Sequence, residues 1–342
     1  AYKDIPGLLS KSQRVILVNE DDHIVLMPYS VKLFGKKGIE VDIAFPIVHG
    51  TNVEDGALQG YLKTIGIPFV GCDVTASALG MDKYASKVVL KENGVPVLDG
   101  YCFTTSDYAE IDSILDKVEK EIGYPAIVKP VDLGSSVGIS VARNRSELTS
   151  SIDDAFLYAR KIIIEHARTK LREINCAVLG DENEAIASEC EEPLHTKDIL
   201  SYEDKYVSNA KGSGSKGMAS VSRKIPAELS PEKRKEVQEL AVKSFQKLGC
   251  NGVARIDFMI DEENGKLYFN EINTIPGSLA FYLWEPVGIS YPELLDRMIR
   301  LALKRVREEE SITFSFDTNI LNQNSLGGVK GGKTGKLKAP LQ

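Results

Sequence analysis

The stretch YFNEINTIPGSLAFY, residues 268–282, decides how the chain folds around its chemistry. Glu271 and Asn273 stand one alternation apart in an extended run, so both side chains leave the same face of a strand. Upstream lies GVARIDFMI (252–260), where Arg255 and Asp257 share a face for the same reason, and the intervening DEENGK carries an Asn-Gly turn signal. The two runs therefore read as a hairpin, and the loop decides whether the two polar faces coincide. An odd loop, three residues at Glu263–Gly265 or five, pairs 257 with 271 and 255 with 273. A two-residue Asn-Gly loop sends the pairs to opposite faces. The odd loop is the expectation. Asp257, Glu271 and Asn273 then supply three hard oxygen ligands of the kind that holds Mg²⁺ together with phosphates. Arg255 beside them is suited to an oxyanion or a transferring phosphoryl group.

A second piece lies some 130 residues earlier, in YPAIVKPVDLGSSVGISVA (124–142). A strand delivers Lys129, a Gly-Ser-Ser-x-Gly loop follows, and another strand begins. Small residues let backbone N–H groups approach phosphate oxygens closely, and a lysine adds a point charge. Because this loop leads into a strand, it reads as a flap over a nucleotide.

The chain has 342 residues, 43% of them hydrophobic and 27% charged, which is ordinary globular composition with room for two or three lobes. A net charge of -7 offers no electrostatic footprint for nucleic acid. The five cysteines (Cys72, Cys102, Cys176, Cys190, Cys250) include no C-x-x-C pair, so buried thiols in a reducing cytoplasm are expected rather than disulfides or zinc. No apolar run approaches the ~20 residues of a membrane span, and the start AYKDIPGLL has no signal-peptide pattern.

Along the chain, RVILV, HIVLM and VDIAFPIVHG read as strands of a small α/β lobe over residues 1–76. A central α+β subdomain, 77–165, combines a helix from about Ser77 to Gly94 and a helix in 105–123 with the runs PAIVKP, VGISVA and KIIIEH. A C-terminal subdomain, 166–320, holds INCAVLG, EAIASECE, the hairpin, a helix capped by Ser230 and Pro231, and the amphipathic YPELLDRMIRLALKRV. Residues 193–226, rich in Lys, Ser and Gly, read as a lid. Residues 321–342 read as a flexible basic tail. Within that tail GGVKGGKT (327–334) matches the P-loop pattern letter for letter. The motif requires a strand before it and a helix after it, and the eight residues that follow contain Gly335 and Pro340, so the match is refused.

Taken together, these motifs resemble the ATP-grasp fold and, within it, the D-alanine–D-alanine ligase family with its D-Ala–D-Ser and D-Ala–D-Lac variants. The resemblance runs from about Asp42 to Val306, on HGTNVEDGALQG (49–60), MDK (81–83), YPAIVKP, GSSVGIS, INCAVLG, YEDKY (202–206), ARIDF and NEINTIPG in family order. It implies central and C-terminal lobes that clamp ATP between them. It also implies that Lys83 and Lys129 hold ATP phosphates, Ser135 lies near the transferred phosphoryl group, Glu165 meets adenine, and Glu173 meets the ribose. Lys205 and Tyr206 would close over the γ-phosphate, and Glu54 and His49 would line the first amino-acid site. Two Mg²⁺ ions, replaceable by Mn²⁺, would sit on Asp257, Glu271 and Asn273. Arg255 and the N–H of Gly277 would hold the oxyanion formed when a second D-amino or D-hydroxy acid attacks the acyl phosphate of D-alanine. The family's members are typically dimers, so a homodimer is implied.

Two departures stand out. Nothing before Asp42 resembles the family's Gly-rich turn with its Ser and Glu, so the N-terminal lobe reads as incomplete or diverged. After Gly277 the chain continues SLAFYLWEPVGIS, without the family's Thr and later Ser, which leaves Ser278 as the substitute contact for the acceptor. Three readings follow: a peptidoglycan-precursor D-Ala–D-X ligase, another ATP-grasp carboxylate–amine ligase, or a catalytically impaired nucleotide-binding relative.

Overall fold

The computed structural model describes residues 4–21, 23–29, 38–134, 137–168, 170–194 and 222–313. Ser135, Lys205, Tyr206, residues 195–221 of the expected lid and the expected tail lie outside the described residues.

The N-terminal lobe begins with helix α1 (Ile5–Lys11) and an antiparallel meander of β1 (Val15–Glu20), β2 (His23–Pro28) and β3 (Ile39–Glu40). Helix α2 (Ala57–Ile65) supplies Leu62 to a small core with Ile24, Ile67 and Phe69. Only part of the expected strand pattern appears here. The run VDIAFPIVHG contributes a single parallel bridge, Ala44 to Phe69, rather than a full strand.

The expected helix over Ser77–Gly94 is two helices, α3 (Val74–Met81) and α4 (Lys83–Glu92), broken at Asp82. Asp82 ends the first and caps the second, its Oδ1 accepting from the N–H groups of Tyr84 and Ala85 at 3.0 and 2.9 Å. The break makes Lys83 the first residue of α4 and sends its side chain off the helix end. Gly80 lets α3 press against the hairpin, since a Cβ there would meet Thr274 Cγ2 at 2.8 Å.

The central lobe is an antiparallel sheet ordered β4 (Gly100–Thr104), β7 (Lys161–His166), β5 (Ala126–Pro130), β6 (Ser140–Ala142). Helices α5 (Ile111–Glu121) and α6 (Arg145–Phe156) cover one face and bury Ile114, Leu115, Val118, Leu148, Ile152 and Ala155 against it.

The C-terminal lobe is a five-stranded antiparallel sheet ordered β10 (Ser222–Lys224), β9 (Ala185–Leu194), β8 (Leu171–Gly180), β11 (Gly252–Asp261), β12 (Leu267–Asn273). Period-2 alternation divides its faces. Ile174, Cys176, Ala254, Ile256 and Phe258 pack against Val237, Ala241 and Phe245 of α7 (Pro231–Lys247). On the opposite face, Ala177, Leu179 and Val253 lie under Trp284 and under Leu294, Met298 and Ala302 of α8 (Tyr291–Glu310). Between these covered patches the face is polar.

The β11–β12 hairpin pairs Arg255 with Asn273 and Asp257 with Glu271, as expected, but by a different device. The loop is even. Asp261 N–H donates to Lys266 O at 2.9 Å and closes a four-residue turn, Glu262–Gly265, in which Gly265 takes φ +67. Past it Ile260 faces Leu267 and Phe258 faces Phe269. A bulge then leaves Asn270 as one extra residue, which shifts the register by one and turns Glu271 toward Asp257. The correction was visible in the sequence: apolar residues Leu267, Phe269 and Ile272 are spaced two and then three apart.

Among the described residues no helix is long and apolar enough to cross a membrane. All five cysteines are free, four of them buried and Cys102 only partly.

Phe269 is fully buried edge-on to Phe258, with ring centroids 6.3 Å apart. Phe269→Ala is expected to cost about 3–5 kcal/mol in urea unfolding, the usual range for emptying an aromatic site. A loss below about 1 kcal/mol would show that the hairpin is not locked into the core at this point.

Candidate active site

On the polar face of the C-terminal sheet, register alone places four side chains in one row across four strands. Glu191 on β9 is opposite Asn175 on β8, Asn175 is opposite Asp257 on β11, and Asp257 is opposite Glu271 on β12. Arg255 clamps Asp257 with two parallel bonds, Nε to Oδ1 and one terminal nitrogen to Oδ2, both 2.7 Å. Asn273 Nδ2 donates to Asp257 Oδ2 at 3.0 Å, which turns its own carbonyl oxygen away. Three of the residues expected to work together, Asp257, Glu271 and Asn273, are thus assembled, with Arg255 bound to one of them.

Burial pushes the Asp257 carboxyl up to about 6, although Arg255 opposes this; the nearby negative charges of Glu271 and Glu173 add to the rise. Glu173 lies on β8 opposite Met259, one alternation from Asn175. A divalent cation would relieve this crowding of carboxylates. The donor set is hard oxygen throughout; among the described residues no group of three or more His, Cys, Asp or Glu side chains is placed to hold a metal ion, so the protein's own share is two carboxylates and an amide. Two carboxylates and an amide leave coordination positions for phosphate oxygens, which is the Mg²⁺ pattern. The residues therefore fit the ion.

Cations approach from the central lobe. Lys83 Nζ is 3.4 Å from Glu271 Oε2 and donates to Leu133 O at 2.7 Å, which ties the end of α4 to the segment after β5. Lys129, on a strand buried along its whole length, donates to Glu165 Oε2 at 2.8 Å. Glu165 has no exposure at all, and its other oxygen accepts from Lys87 on α4. Burial alone would raise the Glu165 carboxyl, but Lys129 and Lys87 outweigh it and hold it down at about 2. Its side chain is thus engaged by the two lysines, a placement that expectation from the sequence did not include.

Sequence reasoning also missed Lys87, Asn175, Glu191, Arg223 and Tyr282. Asn175 Nδ2 donates to Glu191 Oε1 at 3.3 Å, and its buried Oδ1 has no partner among the described residues. Tyr282 O–H donates to the same Glu191 oxygen at 3.3 Å, Arg223 pairs with Glu191 Oε2 at 3.2 Å, and the Arg223 guanidinium sits 4.2 Å over the Tyr282 ring. An Asn inside the apolar run INCAVLG and two lysines four apart in KYASK were the available signals.

Beyond Asn273 the chain passes Thr274–Pro276 into a tight turn over Gly277–Leu283, with Ser278, Leu279 and Ala280 all left-handed at φ 52, 56 and 50. Consecutive left-handed L-residues each cost on the order of 1–2 kcal/mol. Buried Leu279, Ala280, Leu283 and Trp284 beneath α8 hold the turn in that shape. Gly277 and Ser278 therefore sit on a constrained turn. Glu54 and His49 stand on the N-terminal lobe as their own pair. Glu54 Oε2 accepts from Gly50 N–H at 2.6 Å, and His49 Nδ1 is 3.6 Å from Glu54 Oε1.

Comparison with known proteins agrees with this geometry. The model for the D-ala D-ala ligase C-terminus matches residues 89–300, and that for the D-ala D-ala ligase N-terminus matches 13–72. The second match carries the likeness back to residue 13, ahead of Asp42 where the resemblance was expected to begin. The D-alanine–D-alanine ligase of Acetivibrio thermocellus is 41% identical over 278 residues, 80% of this chain and 71% of that protein. The one from Thermosipho melanesiensis is 36% identical over 320 residues, 94% and 82% of the two chains. The D-alanine–D-alanine ligase of Coxiella burnetii superposes with TM-score 0.71 at 30% identity, covering 91% of this chain and 79% of its own. VanG, a D-Ala:D-Ser ligase from Enterococcus faecalis, superposes with TM-score 0.70 at 30% identity, covering 86% and 81%. With both family models matched in order and the Asp257–Glu271–Asn273 set assembled on the fold that carries them, the chain belongs to the D-alanine–D-alanine ligase family of ATP-grasp enzymes.

Proposed function

We infer that the chain is an ATP-dependent D-alanine–D-alanine ligase that supplies the dipeptide for peptidoglycan precursors. The observation that carries this reading is the row of Asp257 and Glu271 with Arg255 and Asn273 beside it, faced by Lys83 from α4.

In the first step a carboxylate oxygen of D-alanine attacks the γ-phosphorus of ATP; the P–O bond to the β-phosphate breaks and ADP leaves. Such transfer is mostly positioning and charge neutralisation. Lys83 and Lys129 hold the phosphate oxygens, and Asp257, Glu271 and Asn273 would hold two Mg²⁺ ions, with Mn²⁺ as a substitute. When bound, these ions neutralise the phosphate charge that develops during transfer. By the family resemblance, Ser135, Lys205 and Tyr206, which lie outside the described residues, would act on the γ-phosphate. Glu173 meets the ribose, Glu165 lies at the adenine end, and Glu54 and His49 receive the first D-alanine.

In the second step the amine of the acceptor, or the hydroxyl of a D-hydroxy acid, attacks the acyl carbon and gives up a proton, and the C–O bond to phosphate breaks to release inorganic phosphate. Arg255 and the Gly277 N–H hold the tetrahedral oxyanion. The acceptor is D-alanine, with D-serine or D-lactate as further acceptors; the departure after Gly277 favours the second reading, another ATP-grasp carboxylate–amine ligase with different substrates. There Ser278 lies on the left-handed turn, and Tyr282 is fixed by Glu191 and Arg223. The enzyme acts as a homodimer in the cytoplasm, on small molecules and not on nucleic acid or membranes.

Phosphate release from ATP and Mg²⁺ is measured with single and paired D-Ala, D-Ser, D-lactate and L-amino acids, and products are weighed by mass spectrometry. Release that requires a D-amino acid, with D-Ala–D-Ala as product, is expected. Turnover only with other carboxylates and amines would move the chain to a different ligase class, and no turnover would leave a nucleotide-binding relative. Glu271→Gln is expected to abolish turnover with an unchanged circular dichroism spectrum; wild-type rates would remove the metal assignment. Arg255→Lys keeps a charge but loses the fork on Asp257, and kcat is expected to fall about 10²–10³-fold, the usual range for one oxyanion donor.

A further inference from the structure

Lys87 has no role in the reaction as described, yet it is among the most deeply buried charges in the molecule. Its side chain is 5% exposed, that of Lys129 is 4% and that of Glu165 is 0%. The three come from different elements: Lys87 from α4, Lys129 from β5 and Glu165 from β7, the neighbour of β5 in the sheet. Lys87 takes Oε1 of the carboxylate and Lys129 takes Oε2. Burial lowers Lys87 to about 8, with Lys129 adding to that and Glu165 opposing it, so at neutral pH the amine remains charged. Among the described residues these two ammonium groups share one carboxylate, a trio whose own charges sum to one positive, buried.

A buried pair in which charges cancel would need only one lysine, and a second cation raises the desolvation cost unless an anion is bound close by. The direction of that anion is set by the helix. Lys83 lies one turn before Lys87 on α4, on the same side, and reaches Glu271 at 3.4 Å. The excess positive charge therefore lies against the edge of the metal row, where a polyphosphate would lie.

We propose that Lys87 is a positioning residue for ATP: by occupying one oxygen of Glu165 it keeps that carboxylate from neutralising Lys129, so that the wedge between α4 and β5 stays net positive toward the phosphates. The inference rests on reading Lys129 as a phosphate ligand. It concerns charge balance and not packing, so it can be separated from a purely structural role.

The test compares binding of ATP and of adenosine to the full chain by isothermal titration at pH 7. In Lys87→Met the affinity for ATP is expected to fall at least about 10-fold while that for adenosine, which has no phosphates, stays within about 2-fold; about 10-fold corresponds to 1.4 kcal/mol. Lys87→Arg, which keeps the charge, is expected to recover most of the ATP affinity. The double variant Lys87→Met with Glu165→Gln restores the net charge of one positive and, because Glu165 lies at the adenine end, is judged by its ATP affinity relative to its own adenosine affinity, a ratio expected to exceed that of Lys87→Met alone. Equal losses for ATP and adenosine, no loss for ATP, or a double variant whose ATP-to-adenosine affinity ratio is no better than that of the single one would each overturn the proposal. A chain that shows this ATP pattern but makes no D-Ala–D-Ala would retain the role of Lys87 while removing the ligase reading.

Discussion

The geometry of the site depends on one extra residue. Asn270 bulges out of β12, and this lets Phe269 face Phe258 in the core while Glu271, two positions on, faces Asp257 across the hairpin. In a regular strand residues two apart share a face, so an apolar Phe269 and a ligating Glu271 could not both be satisfied. The bulge resolves that conflict at the point where the strand passes from core to site. Asn273 and the turn that begins at Gly277 take their placement from it.

Around this hairpin the molecule concentrates charge that would be unfavourable in an empty interior. Asp257 is raised to about 6 by burial and its carboxylate neighbours, while Lys87 is lowered to about 8 by burial, with Lys129 adding to it. The two halves have opposite needs: the row on the C-terminal sheet lacks positive charge, and the wedge at α4 and β5 lacks negative charge. A nucleotide polyphosphate with divalent cations answers both, because the cations meet the carboxylates and the phosphates meet the lysines. The break at Asp82, which starts α4 at Lys83, brings the two halves within 3.4 Å of each other.

Much of the fold was legible in the chain. The helix over Ile111–Glu121, the runs 126–130, 161–166, 174–180 and 252–260, and the cap Ser230 are local features, set by periodicity and turn chemistry. The N-terminal lobe was less legible, because short apolar runs such as VDIAFPIVHG satisfy a strand pattern without finding a strand partner. The loop of the hairpin was misjudged for a related reason. Turn residues constrain a loop, but its parity matters only together with any bulge beyond it, and the three-residue step from Phe269 to Ile272 was the signal.

By itself the sequence determined the chemistry available: hard oxygen ligands two apart on a strand, an arginine beside an aspartate, lysines ahead of small-residue loops, and an Asn-Thr-x-Pro-Gly turn after them. Only the tertiary structure decided which of these residues share a space. It joined Glu191 and Asn175 to Asp257 through register across β9, β8 and β11, placed Tyr282 between Glu191 and Arg223, and closed Lys87 and Lys129 on the two oxygens of Glu165. The physical reason is that alternation and helical period are local and are written along the chain, whereas strand order and the burial of a charge depend on elements 16 to 91 residues apart.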